Sequence, residues 1–193
     1  MRRRRARYRD QVRWEALFGD LEAQLEADRA AGLAGEVAER TRAEWGALAL
    51  VDRLQAQSGR QLTCWTSDGE RLAGRLIRIG RDWLLIADPG GEHLLPLGSV
   101  VAVSGLTGSA EPTGQAPLPQ RLPLTVVLRG LARDRAGVTV VLVGGSRLTG
   151  TVQRVGADHL DLALPAADDP VRGRAPLERI SIACRSVVRI TMQ

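Results

Sequence analysis

Shifted by 76 residues, the chain lies on itself: positions 62–87 align with 138–163 without a gap, and ten of those 26 positions are identical. Such a chain has to contain one supersecondary unit twice. The identities are Thr63/Thr139, Gly69/Gly145, Arg71/Arg147, Leu72/Leu148, Gly74/Gly150, Arg78/Arg154, Gly80/Gly156, Asp82/Asp158, Leu84/Leu160 and Ala87/Ala163. A second match, 99–103 on 186–190, holds at a shift of 87, so the second copy carries 11 extra residues near Pro165 to Ala175. Their polar, turn-rich character reads as a lengthened hairpin loop.

Within the first copy the apolar pattern has the period of a strand. Leu62, Cys64 and Thr66 alternate against Thr63 and Trp65, and Ser67-Asp68-Gly69 follows as a hairpin turn. Runs at 72–79, 83–87, 93–97 and 100–104, broken by Gly80-Arg81-Asp82, Asp88-Pro89-Gly90-Gly91 and Gly98, complete a five-strand meander. Gly69 and Gly145 suit tight turns. Gly74 and Gly150 fall in mid-strand, where the missing side chain permits the sharp bend that closes a small barrel. A helical stretch precedes each copy, 48–57 and 124–135, and residues 105–123, with four prolines and three glycines, read as an extended linker.

Upstream of the repeats the period is helical. Trp14, Leu17, Phe18, Leu21 and Leu25 form one stripe, and Val37, Thr41, Trp45, Leu48, Val51 and Leu54 form another. Gly32 and Gly35 punctuate them, so 10–58 reads as a helical hairpin. The expected organisation is thus a basic disordered arm (1–9), the hairpin (10–58), a first barrel (59–104), the linker (105–123) and a second barrel with its leading helix (124–193). The fold class is α+β.

Charge is distributed unevenly over this plan. The net charge is +5, and all 27 basic residues are arginine. Residues 1–9 carry +6, 10–60 carry −4, 61–110 carry −1 and 111–193 carry +4. The arm, with Arg2, Arg3, Arg4, Arg5, Arg7 and Arg9, is suited to polyanions, which it would bind through phosphate contacts with strong salt dependence. With no lysine there is neither a P-loop lysine nor a Schiff-base lysine. Acidic residues from Asp10 onward interrupt any signal-peptide core, and no apolar run reaches membrane-spanning length, so the expected location is the cytoplasm, with no membrane partner.

The string Asp68-Gly69-x-x-Leu72-x-Gly74-x-Leu76, with Asp82 and an apolar strand beyond it, resembles the first motif of the Sm and LSm proteins and of the bacterial Hfq RNA chaperone. Gly145-x-x-Leu148-x-Gly150-x-Val152 with Asp158 is similar, and Gly98 before Val100-Val101 partly matches the glycine of the second Sm motif. The resemblance covers roughly 62–104 and 138–191. The chain also resembles a group of proteins from high-GC actinobacteria, some labelled Fis-like regulators, although no helix-turn-helix pattern accompanies that likeness. The Sm resemblance implies two small antiparallel barrels used for RNA binding or for strand-edge assembly. Sm proteins grip bases with a stacking residue, an asparagine and a basic residue. This chain has no asparagine, Leu97 stands at the basic position of the first copy, and Trp83, equivalent to His159, is the remaining stacking candidate.

Other chemistry reads as structural. Cys64 falls on an inward strand face as a small hydrophobe. Cys184 has no cysteine counterpart, and neither residue has zinc-site or disulfide spacing. His93 and His159 occupy different repeat positions and read as surface or strand-rim histidines. Asp82 and Asp158 follow Gly-x in turns, where a carboxylate accepts hydrogen bonds from local backbone. No catalytic constellation, cofactor, metal or small-molecule substrate is expected. The expected function is a non-catalytic interaction module that associates with RNA or DNA at low sequence specificity. Its contacts would come from the arm and from Arg71, Arg78, Trp83, Arg147 and Arg154. The alternative is a protein–protein adaptor or self-assembling scaffold that uses barrel edges and the acidic hairpin.

Overall fold

The computed structural model describes residues 2–108, 110, 121–164 and 178–192, with side chains from residue 19 onward except at 20, 30, 31 and 34. The eleven-residue insertion and most of the linker lie outside these residues. The chain divides into two compact units, 1–48 and 49–193.

The first unit is a single helix, α1 (Arg2–Ala47), of 46 residues. This corrects the expected hairpin, because Gly32 and Gly35 continue the helix instead of turning it. A helical glycine costs only about 1 kcal/mol against alanine. The surrounding Ala, Glu, Arg and Leu residues are strong helix formers, and no proline interrupts them. Arg2–Arg9 are likewise the first turns of α1 rather than a separate arm, and their side chains lie outside the described residues. Leu33 and Val37 are exposed. Farther along, the surface carries Arg40–Glu44 and Arg42–Glu39 ion pairs at 3.2 and 3.5 Å, one turn apart.

The second unit begins with a short helix, α2 (Leu50–Gln55), whose Leu54 is fully buried. The first repeat then supplies β1 (Gln61–Thr66), β2 (Arg71–Ile79), β3 (Trp83–Asp88), β4 (Gly91–Pro96) and β5 (Val100–Ser104). Helix α3 (Leu124–Arg133) leads into β6 (Gly137–Leu142), β7 (Arg147–Val155), β8 (His159–Ala163), β9 (Arg179–Ala183) and β10 (Val187–Met192). Among the described residues every pairing is antiparallel, and the ten strands form one sheet in the order β5-β1-β2-β3-β4-β10-β6-β7-β8-β9. Among the described residues the strands expected to form two barrels thus lie in one continuous open sheet, in which neither repeat closes its own ladder. Within each repeat the fifth strand pairs with the first, but the ladder does not close between fourth and fifth. Instead β4 pairs with β10, fusing the two halves.

The two halves share their local devices. Gly69 and Gly145 adopt φ of +84° and +83° in the turns after β1 and β6. Gly74 and Gly150 lie where a side chain would strike the backbone carbonyls of Ala87 and Ala163 on the adjacent strand. Just beyond them the register slips between Leu76 and Arg78, and between Val152 and Arg154, so each long strand bends at the same place. The inward face of the first half packs Leu62, Cys64, Leu72, Leu76, Leu84 and Ile86 around Leu54. The second core is larger. It gathers Leu124 and Leu128 of α3 with Val138, Val140, Leu160 and Ile190, and it takes in Trp83 and Leu94 from the first half.

Candidate functional site

The contacts between the two halves centre on the β4–β10 joint, where Leu94 stands opposite Ile190 and His93 opposite Thr191. Side chains around that ladder tie the two halves together as well. Ser99 donates from Oγ to the carbonyls of Pro96 and, across the joint, Val188, at 2.7 and 2.8 Å. The Asp82 carboxylate accepts from the backbone N–H of Leu124 at 2.7 Å, capping the start of α3. Trp83 donates its Nε1–H to the Leu122 carbonyl at 2.9 Å. Asp82 therefore serves a helix 42 residues away rather than the local turn expected of it. Its partner by repetition, Asp158, accepts from the neighbouring His159 ring at 2.9 Å.

His93 is buried, which corrects the rim position expected for it. One ring nitrogen lies 3.0 Å from Asp88 Oδ1 and the other 2.9 Å from Thr191 Oγ1. An ionised carboxylate only accepts, so Nε2 carries the proton toward Asp88. Nδ1 is then free to accept from the Thr191 hydroxyl, and the imidazole clips β4 to β10. His159 is exposed, as expected. The His93 hydrogen bond, with help from the Gly90 N–H, holds the Asp88 carboxyl below its ordinary value of 3.8. A carboxyl with a depressed folded pKa contributes stability that is complete above its unfolded pKa and is lost as pH falls through the folded value. Asp88→Asn should consequently flatten the fall in melting temperature between roughly pH 5 and 2. An unchanged acid limb in the variant would show that the clip contributes nothing.

The anticipated binding residues are mostly dispersed. Arg71, on β2, is exposed, and its guanidinium sits 5.8 Å from the ring centroid of Trp65. Arg147 and Arg154 are exposed on β7, in the other half of the sheet. Only Arg78 and Trp83 come together, on the wall of one cavity. Trp83 is 4% exposed and its ring N–H is committed, so it is no stacking platform for a base. The exposed aromatic of this region is Trp65. Its outward place in the alternation with buried Cys64 and Thr66 was the signal that could have found it. Cys64 is buried as expected, and burial pushes its thiol up to about 11, well away from a reactive thiolate. Burial also raises the Cys184 thiol. Among the described residues no group of His, Cys, Asp and Glu is disposed to hold a metal ion. None of their helices is long and apolar enough to cross a membrane.

The cavity has a volume of about 390 Å³ and lies between α3 and the face of β2, β3, β4 and β10. Among the described residues the two strands at the ends of the sheet, β5 and β9, each keep one hydrogen-bonding edge unpaired. Comparison with protein-family models and with curated proteins gives no match.

Proposed function

We propose that the chain is a non-catalytic assembly module of two Sm-like small-barrel repeats, joining further copies of itself edge to edge. The carrying observation is the contrast between β5 and β10, the fifth strands of the two repeats. Val188 of β10 is 0% exposed at the β4–β10 joint, whereas its counterpart on β5, Val101, is 70% exposed. Strand β5 reads Val-Val-Ala-Val-Ser, with no charge and no proline to discourage a further strand. Strand β9 is the repeat counterpart of β4 and, among the described residues, is likewise unpaired on one side. Carrying the register of the internal joint over to a β9–β5 joint sets Val103 opposite Ser181 and Ser104 opposite Ile180. Ser181 replaces Leu94 in that arrangement. The external joint is thus more polar than the internal one and suits reversible association.

A second reading, low-specificity nucleic-acid association through the arginines, is favoured by Arg71 lying over the exposed Trp65 ring. Sedimentation at rising concentration separates the two. Strand-edge assembly predicts association that survives nuclease treatment, is lost in Val101→Lys and is kept in Val143→Lys, an exposed control at the turn after β6. Association that nuclease abolishes supports the second reading, and a monomer at every concentration overturns the first.

A further inference from the structure

We propose that the cavity under α3 binds a short apolar zwitterion, of the size of a tripeptide with free ends. Arg78 stands opposite Leu85, Leu85 opposite Leu94 and Leu94 opposite Ile190, so these four side chains share one row and one face of the sheet. Val127 and Leu131 of α3 roof that row, and Trp83 forms one wall. Around the opening Ile77, Leu122 and Met192 remain exposed, gathered at one concavity rather than scattered over the surface.

Comparing the repeats shows that this lining is peculiar to the first copy. The second copy carries Gln153, His159, Asp161 and Ser181 where the first has Ile77, Trp83, Leu85 and Leu94. On that copy Ser181 donates to Asp161 at 2.6 Å, giving a polar face. Packing under α3 explains Trp83 and Leu94, which are buried. It leaves Ile77 and Met192 unexplained, because they are apolar and yet uncovered. An apolar occupant of the cavity accounts for them.

The charges select the occupant. Among the described residues Arg78 and Glu92 are the only charged ones on the lining, and neither makes an ion pair or side-chain hydrogen bond there. They lie two strand spacings apart, with β3 between them, and two residues along the strand, roughly 12 Å between Cα atoms. An extended tripeptide spans about 10 Å. Its carboxylate would take the forked guanidinium of Arg78, its ammonium the carboxylate of Glu92, and its side chains the floor of Leu85, Leu94 and Ile190. A ligand with one charge would leave the other residue of this pair unanswered. The cavity flanks the internal joint and neither free edge of the sheet, so this site does not depend on whether copies pair.

Titration calorimetry of the full chain tests the proposal with tri-leucine, its N-acetyl form, its C-terminal amide and tri-glycine. Tri-leucine should bind, tri-glycine should not, and each cap should weaken binding about tenfold, the loss expected of one charge-assisted contact. Arg78→Gln should bind the amide and the free acid equally, and Glu92→Gln should likewise be indifferent to N-acetylation. Both side chains are on the surface, and unchanged melting curves will verify that the variants are folded. Absence of tri-leucine binding at millimolar concentration overturns the proposal. So does decanoate binding that matches tri-leucine and is unaffected by Glu92→Gln, which would mark a simple carboxylate site.

Discussion

Gly74→Val and Gly150→Val should each destabilise the sheet by about 3 kcal/mol, against a total of about 5–15 kcal/mol for an ordinary domain. A Cβ on Gly74 would stand 2.5 Å from both the Ala87 carbonyl oxygen and Ile86 Cγ2. On Gly150 it would meet the Ala163 carbonyl, with Leu162 Cγ at 3.1 Å. The obstacle in each case is the backbone of the neighbouring strand, which cannot move without giving up its ladder. Two other glycines provide controls of different physical origin. Gly145 has open space around it but a φ of +83°, so Gly145→Ala should cost about 1 kcal/mol in backbone strain alone. Gly130 sits inside α3 with ordinary φ and nothing within 4 Å, so Gly130→Ala should gain up to about 1 kcal/mol. Urea midpoints of the four variants give the ranking. Valine variants no weaker than Gly145→Ala would show that the strands can separate at the bend without cost.

The same residues indicate how far the sequence alone reaches. The repeat located the strands to within about two residues at either end and assigned Gly69, Gly74, Gly145 and Gly150 their turns and bends, because those roles depend on backbone conformation close by in the chain. The leading helix at 124–135 was also legible, as the stretch before the second copy. What the repeat hid was the β4–β10 joint. Strand partners distant in sequence leave no local pattern, and two copies of one unit are compatible with two closed barrels or with one continuous sheet. A trace did exist, in the positions where the copies part company. Leu85 and Leu94 are apolar in the first copy, while Asp161 and Ser181 are polar in the second, and these are the positions at or beside the joint. The glycines of α1 misled in the opposite sense. Gly32 and Gly35 look like punctuation, but a helix of 46 residues absorbs their cost, and the residues of both stripes as far as Trp45 lie along that one helix.

The sharpest case of divergence is Trp83 against His159, and their truncation should differ by several kcal/mol. Both rings lie over a glycine three residues earlier, Gly80 and Gly156, where any side chain would collide with the ring. A planar ring is therefore common to both halves. From there the environments separate. Trp83 is packed into the second core and its indole N–H satisfies the Leu122 carbonyl, so it ties β3 to the segment that leads into α3. The His159 side chain is half exposed, and among the described residues its ring hydrogen-bonds only to the neighbouring Asp158 carboxylate. Trp83→Ala should cost about 3–5 kcal/mol, from lost burial and the void left beneath α3. Trp83→Phe keeps most of the packing and removes one of two donors to the Leu122 carbonyl, which still accepts from the Arg81 backbone N–H at 3.2 Å, for a cost of about 1 kcal/mol. His159→Ala should stay within about 0.5 kcal/mol of the parent, as surface substitutions usually do. Chemical denaturation of the three variants measures all of this. Equal losses at Trp83 and His159 would mean that the first half carries no special role in joining the sheet. A Phe variant as weak as the Ala variant would place the stabilisation in the hydrogen bond rather than in the ring.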